Sequence, residues 1–379
     1  MAQHRISMSD IHIGRPLPWN AYNSRGQLLL KKGMVIESRS QVAALVEQGL
    51  FADASASSSR EADIRAAPAR EAPSVLRMIN LAEKRLERLL FGVGSEPDFP
   101  ARLMEVATSV ISAAELNSDI ALACILLNQQ AGDYPVRHCL DTAVVATLVA
   151  QSMSLAREEI VMLTAAALTM NVGMLRQQIQ LQRKQEALSE EEIESIHRHP
   201  QEGVGMLEAA GVHDAGWLAY VMAHHESEDS RGYPAGLAGE EIPPGAKILA
   251  LADRYCACVS ERKYRKSQLP STALREIFLE RGKSVDPTLA AYFIKVLGIY
   301  PPGTLVRLNN GEIGVVTRKG EGATTPIVHA LVGPRGVSLS IPVRRDTAGE
   351  PFTIKEALHV DQADIRFSMH QVWGNEASL

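Results

Sequence analysis

The sequence is poor in aromatic residues and in cysteine. Phe, Trp and Tyr make up 5% of the 379 residues, in an otherwise ordinary composition with frequent alanine, which favours a mostly helical core. The only cysteines are Cys124, Cys139, Cys256 and Cys258. None forms a CxxC pair, and all four lie in apolar stretches, so we expect reduced thiols in the core and a cytoplasmic protein.

The sequence also lacks a targeting signal, a long apolar run and an excess of positive charge. Its first residues do not show the basic and then apolar pattern of a signal peptide. No apolar run reaches the length that spans a membrane. Lys and Arg number 39 against 44 Asp and Glu, so the net charge of −5 argues against general attraction to nucleic acid. We expect no membrane span and no nucleic-acid polymer as a partner.

The chain is longer than a single core usually supports, so several domains are expected. Changes in composition and in apolar periodicity predict five segments. They are a small β-rich module (1–52), a flexible linker rich in Ala, Ser, Arg and Pro (53–73), a helical segment (74–131), a helical domain (132–299) and a small β-rich extension (300–379). The first module is interpreted as a packing or dimerisation unit, so a homodimer is an open alternative.

Local signals predict some element boundaries. Ser189 with Glu192 forms a capping box, which predicts a helix start. That helix is expected to end near His199, because Pro200 disfavours helical geometry in the residue before it. Residues Ile354 to Leu358 are expected to form a short helix, and the tail after residue 366 is expected to be loosely held.

The most informative stretch runs from residue 223 to residue 234. His224 and His225 end an apolar helical run, and acidic residues follow them. Imidazole and carboxylate together suit divalent iron, manganese and zinc, so this stretch indicates a metal centre. Gly232-Tyr233-Pro234 then forms a turn that carries a phenol. The alternative interpretation of the whole stretch is a solvated loop between two helices.

Flanking motifs place this stretch in an ordered set. A His-Pro pair lies upstream at His199, an Ala-Asp pair lies downstream at Asp253, and an R-x-Y-R motif begins at Arg262. From about Tyr134 to about Gly298, this set resembles the HD-GYP family, which comprises bacterial phosphodiesterases that cleave cyclic di-GMP. The resemblance implies a mainly α fold, with an HD-superfamily helical bundle as the core and small β-rich modules at the N and C termini.

The resemblance also assigns roles to particular residues. The positions that match the family's metal ligands are His138, His199, His224, His225 and Asp253. The positions that match its substrate-binding residues are Gly232, Tyr233, Pro234, Arg262 and Arg265. Plainer interpretations stay open. His138 also suits a helix core, Tyr233 and Pro234 could only lock their loop, and the two arginines also suit a solvated basic run.

One motif departs from the family pattern. Where the family reads His-Asp-x-Gly-Lys, this chain reads Met170-Asn171-Val172-Gly173-Met174, and only the glycine is retained. A two-metal phosphodiesterase needs its ions clamped a few ångströms apart, and the resemblance assigns the bridging role to the aspartate. Asn171 offers no bridging anion, Met170 is a soft ligand for such ions, and Met174 cannot neutralise a phosphate.

These changes predict a degenerate family member. The expected function is a non-hydrolysing receptor for cyclic di-GMP, or an interaction scaffold that contacts signalling proteins through the loop containing Gly-Tyr-Pro. One alternative is an active metal-dependent phosphodiesterase with an altered site. A second is a structural dimer that binds no nucleotide, in which the two methionines fill the space. The retained ligands could hold one divalent transition metal, namely iron, manganese or zinc, or none.

Overall fold

The computed structural model describes most of the chain. The described residues are 3–5, 17, 20–23, 27–36, 51–53, 72–129, 132–182, 184, 186–261, 267–363 and 365–379. The chain divides into two compact units, Met1–Glu71 and Ala72–Leu379. The predicted linker spans their boundary, whereas the segment limits predicted at 131 and 299 lie inside the second unit.

The first unit contains a small antiparallel sheet. Its strands are β1 (Gln3–Arg5), β2 (Ala21–Tyr22), β3 (Leu28–Leu30) and β4 (Phe51–Asp53), in the spatial order β1-β4-β2-β3. Strands β2 and β3 lie where alternation and turn residues predict strands.

The second unit is mainly helical. The helices before the C-terminal sheet are α1 (Val75–Phe91), α2 (Phe99–Leu116), α3 (Ser118–Leu127), α4 (Tyr134–Ser152), α5 (Arg157–Thr169), α6 (Leu175–Leu181), α7 (Glu190–Ala209), α8 (Ala215–Ala223), α9 (Pro244–Val259), α10 (Pro270–Leu279) and α11 (Pro287–Leu297). Their apolar faces form one continuous core that runs from α1 to α11. Helix α4 lies at its centre and is buried along almost its whole length.

A buried group of charges joins α1 to α4. Glu83 on α1 and Arg137 and Asp141 on α4 are each at most 6% exposed. The Arg137 Nε atom lies 3.8 Å from Asp141 Oδ2. Burial raises the pKa of both carboxyl groups, and the nearby guanidinium opposes this shift. The guanidinium of Arg137 attracts both carboxyl groups, so electrostatic attraction acts between α1 and the helix that carries His138.

Within the part of the chain that the structure describes, one helical run has the length and composition of a membrane span. The run Arg157–Leu181 passes that test, but 67% of its most apolar window is buried inside the fold. Phe99–Leu116 and Ser118–Leu127 pass it only as a pair, and they are bent by 111°. Core helices pass the same test, so this finding has little weight, and the absence of a span stays a prediction.

The prediction that a helix ends near His199 is wrong. Helix α7 begins with the expected capping box at Ser189 and continues through Pro200 to Ala209. A proline inside a helix lacks the N–H that would bond to the carbonyl four residues earlier, here that of Ile196. The ring Nδ1 of His199 donates to this oxygen at 2.5 Å instead. A side chain therefore satisfies the carbonyl that Pro200 leaves without a backbone donor.

The C-terminal region forms a five-stranded antiparallel sheet. Its strands are β5 (Leu305–Leu308), β6 (Ile313–Arg318), β7 (Ile327–Val332), β8 (Ser338–Asp346) and β9 (Ile354–Leu358), in the spatial order β8-β7-β6-β5-β9. The short helix predicted for the last of these segments is therefore wrong. Strand β9 pairs with the edge of β5 that β6 does not cover, where Leu358 lies opposite Leu305 and Glu356 accepts from Arg307 at 2.9 Å.

The expectation of a loosely held tail is also wrong. Two short helices, α12 (Val360–Ala363) and α13 (Met369–Trp373), follow the sheet. Trp373 Nε1 donates to the Thr317 carbonyl at 3.1 Å, and Ser74 Oγ donates to the Ser378 carbonyl at 2.6 Å. These contacts fix the tail to strand β6 and to the start of α1. The described architecture confirms the predicted mainly α fold with small β-rich modules.

Candidate metal centre

Four helices bring the five predicted ligands into one connected cluster. His138 lies on α4, His199 on α7 and Asp253 on α9, and His224 and His225 follow directly after α8. His138 Nε2 lies 2.6 Å from Asp253 Oδ1, and His225 Nδ1 lies 4.0 Å from Asp253 Oδ2. His199 Nε2 lies 3.2 Å from His224 Nε2. Residues far apart in sequence thus meet, although their role as ligands stays a prediction.

Backbone carbonyls fix the tautomer of two of the histidines. His199 Nδ1 donates to the Ile196 carbonyl, and His224 Nδ1 donates to the Val221 carbonyl at 2.6 Å. A carbonyl oxygen only accepts, so both Nδ1 atoms carry hydrogen. In the neutral ring, Nε2 then keeps its lone pair. Such second hydrogen bonds are what orient metal-ligating histidines in proteins.

Two buried lone pairs therefore face each other across 3.2 Å. His199 and His224 are both fully buried. Burial, reinforced by the neighbouring His224, lowers the pKa of His199 to about 3. Burial also lowers the pKa of His224. Neither ring is therefore protonated near neutral pH, and a shared proton does not relieve the contact. A cation between the two nitrogens would do so.

The third histidine and the carboxylate complete a donor set that suits a metal. His199, His224 and His225 each offer a ligand atom within 4.8 Å of the others. Burial and then His224 lower the pKa of His225 well below its ordinary value. Burial would raise the pKa of Asp253, but the hydrogen bond with His138 and the surrounding imidazoles outweigh it and lower this pKa. Neutral imidazoles and an ionised carboxylate fit one divalent ion.

Replacing Pro200 by alanine tests the role of the Ile196 carbonyl. The new N–H would compete with His199 Nδ1 for that oxygen. We expect the free energy of unfolding to rise by up to about 3 kcal/mol, because an interior proline is removed. We expect metal affinity to fall by about tenfold or more, because His199 loses its orientation. Chemical denaturation and competitive metal titration measure the two effects.

The control for this test is Gln201→Ala, at an exposed neighbouring position on the same helix. It should leave both quantities close to those of the wild type. A Pro200→Ala protein that is more stable and still binds metal with unchanged affinity would contradict the positioning role.

The motif that differs from the family pattern, Met170 to Met174, lies next to the cluster. Its last three residues form a short 3₁₀ helix, Val172–Met174. Met170 is fully buried in the hydrophobic core, and Met174 is half-buried. Asn171 is 2% exposed, and its Oδ1 has no hydrogen-bond partner among the described residues. An orphaned buried oxygen at this place is compatible with an ion or a water nearby. The turn offers one neutral oxygen and no carboxylate.

The retained glycine of this motif has a packing role. A Cβ atom on Gly173 would lie 2.3 Å from the His199 carbonyl oxygen and 2.6 Å from the Gly203 amide nitrogen. Both neighbours are backbone atoms of α7, so they cannot move aside cheaply. Only glycine lets the turn approach the helix that carries His199 this closely.

A pair of glycine substitutions tests this close approach. Gly173→Ala should lower the free energy of unfolding by about 2 kcal/mol or more, because the turn and α7 must separate. Gly205→Ala is the matched control. Gly205 lies on α7, the helix that Gly173 packs against, and a Cβ atom there meets nothing within 4 Å. It should raise stability by about 0.5–1 kcal/mol. Urea denaturation of both proteins checks the contrast, and equal effects would contradict it.

The Gly-Tyr-Pro loop packs directly on the cluster. Tyr233 stacks on His225 with ring centroids 4.6 Å apart and on His197 at 4.3 Å. Its amide donates to the His225 carbonyl at 3.1 Å. A Cβ atom on Gly232 would lie 2.4 Å from Glu226 Cα. Pro234 follows a cis peptide bond. The loop therefore lies over His225, and both a packing role and a ligand-binding role stay open for its tyrosine.

The sequence interpretation missed the role of Glu226. This side chain is 6% exposed, and its two oxygens accept from the Ala235 amide at 2.7 Å and the Leu237 amide at 2.9 Å. It closes the loop after the Gly-Tyr-Pro turn. Its place directly after the histidine pair was the only available signal, and that signal suggested a ligand as readily as a loop anchor. Arg262 and Arg265, the predicted phosphate-binding pair, lie outside the described residues.

A cavity of about 420 Å³ adjoins the cluster on its α9 side. His224, His225 and Asp253 form one wall, and one face of α9 forms another. The turn before α11 closes the cavity through Ser284 and Asp286. Its size is within the range of small-molecule sites, so the donor set opens onto a space that a ligand can enter.

Comparison with known proteins agrees with this fold. Residues 120–289 match the family described as HD domain. The chain is 31% identical over 226 residues to a cyclic di-GMP phosphodiesterase of Pseudomonas aeruginosa, which covers 59% of this chain and 54% of that protein. It is 34% identical over 144 residues to the cyclic di-GMP phosphodiesterase response regulator RpfG of Xanthomonas campestris pv. campestris, which covers 38% of each. The chain therefore spans about half or less of the length of these relatives.

A solved structure shares the fold. An HDG"Y"P protein from Bdellovibrio bacteriovorus aligns with a TM-score of 0.50 at 14% identity, over 78% of this chain and 99% of that one. The helical core with its histidine and aspartate cluster is thus an HD domain. The matched HD domain and the similar cyclic di-GMP phosphodiesterases support the HD-GYP family that the motifs predict.

Proposed function

We propose that this protein is a non-hydrolysing receptor for cyclic di-GMP within the HD-GYP family. The observation that carries the proposal is the pair Met170 and Asn171, which occupies the motif position where the family has its His-Asp pair. The four histidines and the aspartate at the five predicted positions are all present in the cluster beside it. The chain thus keeps a metal-binding and ligand-facing site while it lacks the residue that would bridge two ions.

The chemistry of phosphodiester cleavage explains the expected loss of turnover. A two-metal site stabilises both the attacking and the leaving oxygen, and it requires an anionic bridge between the ions. Asn171 supplies only a neutral amide oxygen. Met170 is packed in the core and carries a soft thioether. Met174 carries no charge to neutralise a phosphate.

Retained ligand binding is supported by four observations. The relatives that align with this chain are named cyclic di-GMP phosphodiesterases. Tyr233 lies over the cluster, and a cavity opens beside His225 and Asp253. The five candidate ligands can hold one iron, manganese or zinc ion, which would supply a positive charge for a phosphate oxygen. The loop that carries Tyr233 is also the surface that a scaffold would present to a partner signalling protein.

A second candidate function is an active phosphodiesterase with an altered site. The specific observation in its favour is the close approach of His199 and His224, which are prepared to share one ion. In that case a single metal and a tolerant Asn171 would suffice for turnover. A purely structural dimer that binds no nucleotide is the third reading, and the complete burial of Met170 is compatible with it.

One experiment separates the three candidates. The pure protein is incubated with cyclic di-GMP under reducing conditions with added iron or manganese, and the linear dinucleotide and GMP are followed by chromatography. Calorimetry on the same sample measures binding of the intact nucleotide. We expect micromolar binding and no product. Product that disappears in an Asp253→Ala variant would establish the active enzyme, and absence of binding would leave the scaffold or the dimer.

A further inference from the structure

The α9 face of the cavity carries two cations at helical spacing. Lys247 and Arg254 are seven residues apart, so they lie two turns apart on the same side of the helix. Ala250 and Ala257 line the cavity from the same face, and their small side chains leave room beside the cations. Asp253, at the adjacent position, contributes to the cluster wall of the same cavity.

Each cation is held by a carboxylate from a neighbouring segment. Arg254 donates to Glu280 through two nitrogens, at 2.5 Å and 2.9 Å. Ser284 Oγ also donates to Glu280, at 2.7 Å. Lys247 Nζ lies 2.7 Å from Glu228 Oε1. Arg254 therefore presents two donors that suit a pair of acceptor oxygens, as on a carboxylate or a phosphate, and Lys247 presents a compact positive charge beside it.

These two ion pairs are accessible enough for a phosphate to replace the carboxylate partner. The side chains of Arg254 and Glu280 are 38% and 40% exposed to solvent. Those of Lys247 and Glu228 are 21% and 19% exposed. An ion pair as exposed as Arg254–Glu280 contributes little to stability, about 0–1 kcal/mol. A phosphate that enters the cavity can replace a carboxylate as the partner of a cation at a small net cost.

We infer that Lys247 and Arg254 form an anion subsite beside the histidine cluster, which binds a phosphate group of the ligand, and that Glu280 and Glu228 compete with this phosphate. The subsite takes either a phosphodiester, as in a cyclic dinucleotide, or a phosphomonoester. The inference rests on the proposed nucleotide binding for its biological ligand. Arg254 and Glu280 then have opposite effects on affinity, because Arg254 binds the phosphate and Glu280 occupies Arg254 when no phosphate is bound.

This opposition gives a test that a purely structural pair would fail. Dissociation constants for cyclic di-GMP, GMP and inorganic phosphate are measured by calorimetry on the full chain. Arg254→Gln should weaken binding by about tenfold or more, the range expected when a charged hydrogen-bond donor is lost. Glu280→Gln should tighten binding by about threefold or more, because Arg254 is released. Arg254→Lys should lie between the wild type and Arg254→Gln, since it keeps the charge and loses the fork.

A matched pair on the C-terminal sheet provides the control. Arg307 and Glu356 form an ion pair at 2.9 Å, away from the cavity. Arg307→Gln and Glu356→Gln should leave all three dissociation constants unchanged. Circular dichroism of every variant verifies folding before titration.

Each outcome separates the subsite from the proposed function. If cyclic di-GMP binds and Arg254→Gln and Glu280→Gln shift affinity in the same direction or not at all, the subsite is overturned and the receptor stands. If only GMP or phosphate binds, with the opposite shifts, the subsite stands and the cyclic di-GMP receptor is overturned. If none of the three binds, both are overturned.

Discussion

Replacing His224 by alanine should remove bound metal from this protein. The wild type is expected to carry about one divalent ion per chain after growth in medium supplemented with iron or manganese, because one complete donor set is available. His224 faces His199 across 3.2 Å with its tautomer fixed by a backbone carbonyl. Loss of a direct ligand should cost about a hundredfold or more in affinity, beyond the tenfold to hundredfold effect of outer residues.

Inductively coupled plasma mass spectrometry of the purified proteins measures this loss. His213→Ala is the control, because His213 is exposed in the loop before α8. It should keep the wild-type metal content. His225→Ala, at a half-buried position, gives a second variant that should also lose the ion without a large risk to folding. Unchanged metal in both cluster variants would show that these histidines only pack against each other.

Restoring the family motif should create phosphodiesterase activity. The triple change Met170→His, Asn171→Asp and Met174→Lys supplies a ligand, a bridging carboxylate and a cation at the turn that packs on α7. Metal content is expected to rise from about one ion to about two per chain, since a bridge is what a two-metal site requires. Hydrolysis of cyclic di-GMP is expected to rise by at least about a hundredfold over the wild type.

The stepwise variants make this result interpretable. Asn171→Asp alone conserves shape and converts the amide that carries the orphaned buried oxygen into a carboxylate, so it should raise metal content before it raises turnover. The triple variant with Asp253→Ala is the control, and it should lose the new activity. A wild-type protein that already hydrolyses the nucleotide, with no gain in the triple variant, would contradict the degenerate interpretation and support an active enzyme with an altered site.

Much of the site could be predicted because its chemistry is local in sequence. The pair His224-His225, the His-Pro pair at His199 and the Gly-Tyr-Pro turn each occupy a short stretch that has few alternative explanations. Gly173 aligns the stretch from Met170 to Met174 with the family motif, and the structure shows why only glycine fits at this position. The sequence did not reveal the hydrogen-bond partners of individual side chains, such as the two loop amides that donate to Glu226.

The errors arose where another side chain or segment, near or distant in sequence, supplies a hydrogen-bond partner. Pro200 was expected to end a helix, but the His199 side chain satisfies the carbonyl that proline leaves free, so α7 continues. Residues Ile354–Leu358 were expected to be helical, but the open edge of β5 lies beside them and pairs their backbone groups. The tail was expected to be loose, but Thr317 accepts from Trp373.

The sequence by itself determined the family, the mainly α core, the candidate ligands and the departure at Met170 and Asn171, because each depends on residue type and on spacing along one segment. Only the tertiary structure decided which nitrogen of His199 and His224 faces the site, which carboxylate binds Arg254, and whether Pro200 interrupts α7. Arg254 pairs with a residue on another segment, whereas the two histidines bond to carbonyls three residues earlier, and sequence alone does not show which of these partners lies within reach. A hydrogen bond or an ion pair acts over about 3 Å of space, whatever number of residues separates its partners along the chain.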